Sequence, residues 1–201
     1  MDALDWAGSA MVAARTRLEI ATQNLANASA DGFRKLTARG RLTGAGVRID
    51  ARRSEQRGAL RRTGRDYDLA IVGPGQFSVR GTDGRIVKTR VGSFERTTGG
   101  TLADAQGRTL MSRSGTLDVP ERATFDERGR IVFDGTPTSQ SIALPPGSSI
   151  RSGFVEASSV DAIAEMVGIV EASRSFESAQ KVVTSIDSIR QKNASDVARV
   201  R

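Results

Sequence analysis

From Leu4 onward the apolar positions fall at Leu4, Ala7, Met11, Ala14, Leu18, Ala21 and Leu25, an unbroken alternation of three and four residues. That spacing predicts a helix with a coiled-coil type of seam, rich in alanine and so suited to close approach of another helix. Asp2 is the expected N-cap, with Asp5 three residues on, and the helix should fade where turn formers gather at Asn27-Ala28-Ser29-Ala30-Asp31-Gly32. A second helix is predicted from the capping signal Ser158-Ser159-Val160-Asp161, because no proline follows before Arg201. Its stripe includes Val160, Ile163, Val167 and Val170, then changes phase to Ile169, Ala172, Phe176, Ala179, Val183 and Ile186, with the adjustment expected beside Gly168. Over residues 158–198 it would be about 60 Å long, against about 38 Å for the N-terminal helix. The excess has no partner within the chain, so its apolar stripe should be covered by other subunits or stay poorly ordered in the monomer.

Between the helices the period changes to two. Short apolar-polar alternations are punctuated by glycine turns at GTDGR, TTGGTL, AQGRTL, SRSGTL and DERGRIVFDG, which predicts an antiparallel β domain from about Asp66 to Val155. Pro145-Pro146-Gly147 should turn the chain near its end. One stretch, DLAIVGPGQFSV from Asp68 to Val79, imitates the strand and glycine turn of a dinucleotide fingerprint. The fingerprint needs a helix whose free N–H groups hold the phosphate, and here Phe77-Ser78-Val79-Arg80 alternates as a strand instead. Ser78 also stands where the third glycine belongs. A hairpin is the reading that fits. The expected organisation is thus 1–33 as helix and exit motif, 34–65 as connector, 66–155 as β domain and 156–201 as the C-terminal helix packing with 1–33.

Composition narrows the chemistry. Hydrophobic residues make up 38% of the 201, aromatics 4%, and 21 are glycine, which points to an elongated or multimeric protein rather than one large core. Cysteine and histidine are absent, removing disulfides, thiolate nucleophiles, imidazole bases and the usual zinc ligands. Absence of cysteine also suits a chain exported unfolded. No cofactor or metal is expected. An enzyme working through Asp66 and Asp68 is a third-ranked reading, since a carboxylate pair at a strand entrance is ordinarily there for solvation. The N-terminus lacks the apolar core and cleavage site of a secretory signal, and no run approaches the about 20 apolar residues of a bilayer span.

Charge is concentrated. Residues 34–65 hold eleven Lys or Arg against Asp50 and Glu55. A basic nucleic-acid-binding module using 34–65 is the rival reading, because clustered cations release counterions from a phosphate backbone. No Trp or Tyr interleaves those cations to stack on bases, so an interface arm is preferred and no nucleic acid is expected.

The stretch Asn24-Leu25-Ala26-Asn27-Ala28-Ser29-Ala30-Asp31-Gly32-Phe33-Arg34 resembles the N-terminal signature of the bacterial flagellar axial proteins, the rod and hook family. Leu69-Ala70-Ile71 through Gly75-Gln76-Phe77, with Thr89 to Phe94 and Gly100-Thr101-Leu102, is similar to that family's central motif. Gly153 to Asp161, with Glu171-Ala172-Ser173-Arg174-Ser175-Phe176-Glu177, resembles its C-terminal helix. The chain departs from the pattern at Ala30, where Thr is usual, at Ser159, where Asn is common, and in its modest length, which favours the rod over the hook.

The resemblance implies an α+β subunit whose terminal helices form a coiled-coil-like inner tube, with the β domain outside. It implies a structural, non-enzymatic role in the basal-body rod that spans the periplasm, assembly with copies of itself and other rod or hook proteins, and export by the flagellar type III apparatus without a cleaved signal. The expected assembly interface is Leu4, Ala7, Met11, Ala14, Leu18, Ala21 and Leu25 with Val167, Ile169, Phe176, Ala179, Val183 and Ile186. The expected axial motif is Asn24, Asn27, Gly32 and Phe33: a helix end, a left-handed glycine and an aromatic anchor.

Overall fold

In the computed structural model, which describes residues 3–44, 46–113 and 115–199, the N-terminal periodicity becomes helix α1, Ala3–Ala26. Asp2, the expected cap, lies outside the described residues. The helix closes where the turn formers begin. The amides of Asn27 and Ala28 donate to the carbonyls of Asn24 and Leu25 at 3.0 and 3.1 Å, and Asn27 Nδ2 donates to the Gln23 carbonyl at 2.8 Å. These bonds satisfy acceptors that a helix end leaves orphaned. Two strands follow, β1 at Leu36–Thr43 and β2 at Gly46–Arg53, and the second helix, α2, runs over Ala162–Arg199. It starts later than the serines suggested. Its cap is Asp161, whose Oδ1 accepts from the amides of Ile163 and Ala164 at 3.0 and 3.2 Å.

The chain forms two compact units, one made of Met1–Ala28, Lys35–Glu55 and Val160–Arg201, the other of Ser29–Arg34 and Gln56–Ser159. In the first unit α1 and α2 pack side by side. Glu165 bonds to Asn24, and a Cβ built on Gly168 would lie 4.0 Å from that of Ala21. Three residues back along α1 correspond to three residues forward along α2, so the helices run antiparallel. At 38 residues α2 is about 57 Å long and outlasts α1, which spans about 36 Å.

The phase change expected at Gly168 does not occur. One continuous stripe, Glu165, Ile169, Ala172, Phe176, Ala179, Val183 and Ile186, is buried or half-buried along α2. Ile163, Met166, Val167 and Val170 lie on another face and are 50% to 75% exposed. The apolar run misled because the helix turns a glutamate inward at the position where an aliphatic residue would continue the pattern. Nor is 34–65 a plain connector. Leu36–Arg53 is a regular antiparallel hairpin, Leu36 opposite Arg53 and Thr43 opposite Gly46, which packs on α1.

The second unit carries the β region. Its strands are β3 (Leu60–Arg62), β4 (Leu69–Val72), β5 (Phe77–Arg80), β6 (Ile86–Thr89), β7 (Glu95–Arg96), β8 (Leu102–Ala103), β9 (Thr109–Ser112), β10 (Gly115–Thr116), β11 (Thr124–Phe125), β12 (Arg130–Phe133), β13 (Thr136–Ser141), β14 (Ser149–Ser152) and β15 (Phe154–Glu156). They form a sheet ordered β6-β5-β9-β8-β7 with β10 on β9, a sheet β11-β12-β13, and the pairs β14-β4 and β15-β3. Every pairing between these strands is antiparallel among the described residues. Alternation sets the faces: along β5, Phe77 and Val79 are fully buried while Arg80 is exposed. Phe77 meets Phe94 edge to face at 5.4 Å within a core that also holds Leu69, Leu102, Leu110 and Ile131.

Two hairpin turns use one device. Asp104 Oδ1 accepts from the amides of Gln106 and Arg108, both at 3.0 Å, and Oδ2 from Arg108 Nε at 2.7 Å. Asp126 repeats this with the amides of Arg128 and Arg130 at 3.0 and 2.8 Å and Arg130 Nε at 2.8 Å. The aspartate takes the amides that a tight turn would otherwise leave without acceptors.

Candidate assembly site

Asn24, on the last turn of α1, has no solvent exposure. Its Nδ2 donates to the Leu36 carbonyl at 2.8 Å and to Glu165 Oε2 at 3.1 Å, and its Oδ1 accepts from the Leu36 amide at 2.8 Å. One side chain thus imitates a strand partner for β1 while holding the first turn of α2. Lys35 Nζ completes the junction at 2.6 Å from Glu165 Oε1, giving the nearly buried carboxylate a counter-charge. Burying that charge unpaired would cost several kcal/mol, roughly, so each member depends on the others. Asn24 was expected from the axial motif. Lys35 and Glu165 were not, since a lysine among eleven cations and a glutamate in a helix carry no signal by themselves.

In the second unit Gly32 has φ +69°, and its amide donates to the Glu156 carbonyl at 2.6 Å. An added Cβ would lie 2.6 Å from the Val91 amide nitrogen and 2.7 Å from the Arg90 carbonyl carbon. Glycine is therefore required twice, for conformation and for space. Phe33 is half-buried, and its carbonyl accepts from the Ser159 amide at 3.0 Å. Asp31 pairs with Arg61 at 3.0 Å. Beneath this corner lies a buried ion pair: Arg90 Nη1 stands 2.7 Å from Glu156 Oε2, both side chains 3% exposed.

The same guanidinium explains the glycine loop that imitates a nucleotide fingerprint. Arg90 Nε donates to the Gly75 carbonyl at 3.0 Å, Nη1 to that of Ile71 at 3.0 Å and Nη2 to that of Gly73 at 2.5 Å. The loop turns carbonyls, not amides, toward its bound charge and is built for a cation already supplied by the chain. Gly73, at φ +97°, has the Gly147 carbonyl oxygen 2.5 Å from where a Cβ would stand.

Of the two candidate carboxylates, Asp68 is taken up by a neighbouring arginine. Asp68 is fully buried and bidentate to Arg65, at 2.8 and 3.0 Å. That hydrogen-bonded pairing raises the pKa of Arg65 above its ordinary value. Asp66 is exposed and takes part through its backbone, its carbonyl accepting from Ser152 Oγ at 2.8 Å. Among the described residues no cluster of acidic side chains fits a metal ion, and no helix is long and apolar enough to cross a membrane.

The seam residues separate by size. Ala7, Ala14 and Ala21 are buried, whereas Leu4, Met11, Leu18 and Leu25 remain half-exposed. Ala13 and Ile20, one position earlier, are buried as well and were missed because they sit off the strict seam. On α2 the residues Ile169, Phe176, Ala179, Val183 and Ile186 are half-buried, and Val167 is 54% exposed on the outer face. The two helices cover each other's small residues and leave their large ones partly open.

Comparison with known proteins agrees with this layout. Residues 4–34 match the family described as Flagella basal body rod protein, residues 70–149 the Flagellar hook protein FlgE/F/G D1 domain, and residues 151–197 the Flagellar basal body rod FlgEFG protein C-terminal. The flagellar basal-body rod protein FlgG of Agrobacterium fabrum is 27% identical over 251 positions, covering 93% of this chain and 96% of that protein. That alignment is longer than the chain's 201 residues, so the relative carries residues that this chain lacks. The flagellar hook protein FlgE of Rhizobium meliloti is 34% identical over 108 residues, 48% of this chain and 27% of that protein. These relatives are structural proteins of the flagellum and not enzymes. With three successive family matches in the order that its helix, β region and helix require, the chain is a member of the bacterial flagellar basal-body rod and hook family.

Proposed function

We infer that the chain is a structural subunit of the flagellar rod, joining copies of itself and other rod or hook proteins through its terminal helices to carry torque. The observation behind this reading is the unfinished helix pair. Leu4, Met11, Leu18 and Leu25 stay half-exposed, Ile163, Met166, Val167 and Val170 stand out to solvent, and α2 outlasts α1. Apolar surface of that extent is covered when further helices pack against it, and helices so packed form the inner tube of a filament. The expected contact set is the open part of the seam, Leu4, Met11, Leu18 and Leu25, together with Val167, Ile169, Phe176, Ala179, Val183 and Ile186. Export by the flagellar type III apparatus, without a cleaved signal, and residence in the periplasm-spanning rod belong to the same reading.

The test places a charge on each exposed stripe. Leu18→Asp and Ile163→Asp, supplied to cells lacking the gene, should yield secreted, folded protein that is missing from purified basal bodies. Normal incorporation of both variants would refute assembly through these faces.

A further inference from the structure

The arginines of residues 34–65 are sorted once the hairpin forms. In its register Thr37 faces Arg52, Arg39 faces Asp50 and Arg41 faces Arg48, and directly opposed residues project from the same side of a ladder. One side therefore carries Arg39, Arg41, Arg48 and Arg52, all exposed. Their one carboxylate is Asp50, 3.4 Å from Arg48. The other side carries Leu36, Ala38, Leu42, Val47, Ile49 and Ala51, with Arg53 alone of the hairpin's arginines, at its open end. Like charges set directly opposite destabilise a hairpin, and neither Arg41 nor Arg48 is buried in a way the fold requires. The opposed pair is thus a local cost without a local return, the mark of a surface kept for a partner.

The chemistry of the partner follows from the choice of residue. Residues 36–62 contain eight Arg and no Lys. Lysine supplies positive charge equally, whereas the rigid guanidinium fork is matched by carboxylates or phosphates held in fixed positions. Residues 34–65 contain no aromatic side chain to stack on a base. The chain's net charge is +7, so its own copies are a poor electrostatic match.

We propose that the basic face of β1–β2 docks a carboxylate-rich segment of a different protein, with the opposed pair Arg41 and Arg48 at its centre. The proposal does not depend on how the terminal helices assemble.

The full chain is titrated with a short poly-glutamate peptide, a short DNA duplex and phosphatidylglycerol vesicles. Poly-glutamate should bind best, with an affinity that falls as salt is added. Arg41→Gln with Arg48→Gln should weaken it about tenfold, and Arg41→Lys with Arg48→Lys should recover only part of the loss. Arg57→Gln with Arg62→Gln, outside the hairpin, should leave binding within about twofold. Arg48→Glu, which sets a carboxylate opposite Arg41, should raise thermal stability while abolishing peptide binding; a residue with a purely structural role would not separate those readouts. Tighter binding of DNA or vesicles, full recovery with lysine, an equal loss in the Arg57 and Arg62 variant, or self-association that the Arg41 and Arg48 substitutions abolish would each overturn the proposal.

Discussion

The two units bury different things. The β unit closes over Leu69, Phe77, Leu102, Leu110 and Leu117, each with no solvent exposure. The helical unit buries mainly alanines, with Ile20, Asn24 and Glu165, and leaves Val12, Ile163, Met166 and Val167 more than half exposed. A core of large side chains gains in proportion to the apolar area it hides, about 25 cal/mol per Å². An interface of alanines gains less per residue and brings backbones together instead. The β unit thus closes its apolar core by itself, although Ile86 and Val87 on β6 stay 59% and 43% exposed. The helical unit is specified, through its polar junction and its register, more strongly than it is stabilised.

The comparison breaks most severely at the charge buried in the β unit. Arg90→Met should cost about 3–5 kcal/mol, because Glu156 and three loop carbonyls lose their donor together. Denaturant unfolding of the β unit reads this directly, and a cost near zero would mean that the pair is not buried in solution. Next comes the corresponding polar centre of the helical unit. Asn24→Ala leaves the Leu36 backbone and Glu165 short of partners and should cost about 1–3 kcal/mol. Hydrogen exchange should show faster opening of α1 and α2 with the β strands unchanged; loss of protection in both units alike would defeat the distinction drawn between them.

A comparable effect on stability is expected from Gly32→Val, about 1–3 kcal/mol, since a β-branched side chain at φ +69° is strained and meets the Arg90–Val91 backbone. Combined with Asn27→Ala it should lower the protein's content in purified basal bodies while the β unit still melts cooperatively. Undiminished incorporation would remove the axial motif from the argument. The slightest effect belongs to a single turn. Burial would raise the pKa of Asp126, but the hydrogen bonds and charge of Arg130, with the Arg128 amide, outweigh it and hold the carboxyl below its ordinary value. Its stabilising contribution is therefore complete above the unfolded pKa of about 4 and is lost as pH falls through the lower folded value. Asp126→Asn should flatten this part of the acid unfolding curve, and an unaltered curve would show that the turn adds nothing to the linkage.

Local order alone determined much of this protein. A three-and-four alternation of apolar residues forms a helix wherever it lies, so α1 was legible to within a turn, and alternation with glycine turns made the hairpins of the β region legible for the same reason. The helix end at Asn27 and the left-handed turn at Gly32 could be read because a helix cap and a positive φ are local matters. Pairings between distant residues could not. Asn24 meets Glu165 across 141 positions, and Arg90 meets Glu156 across 66. Only the fold decided that one glutamate would turn inward on α2 while four aliphatic residues turned outward, or that the Gly73–Gly75 loop would close on an arginine and not a phosphate. A chain's pattern records the period of each element, whereas the partner of a charge is set by which elements arrive beside it. The energy of burying that charge has no value until they do.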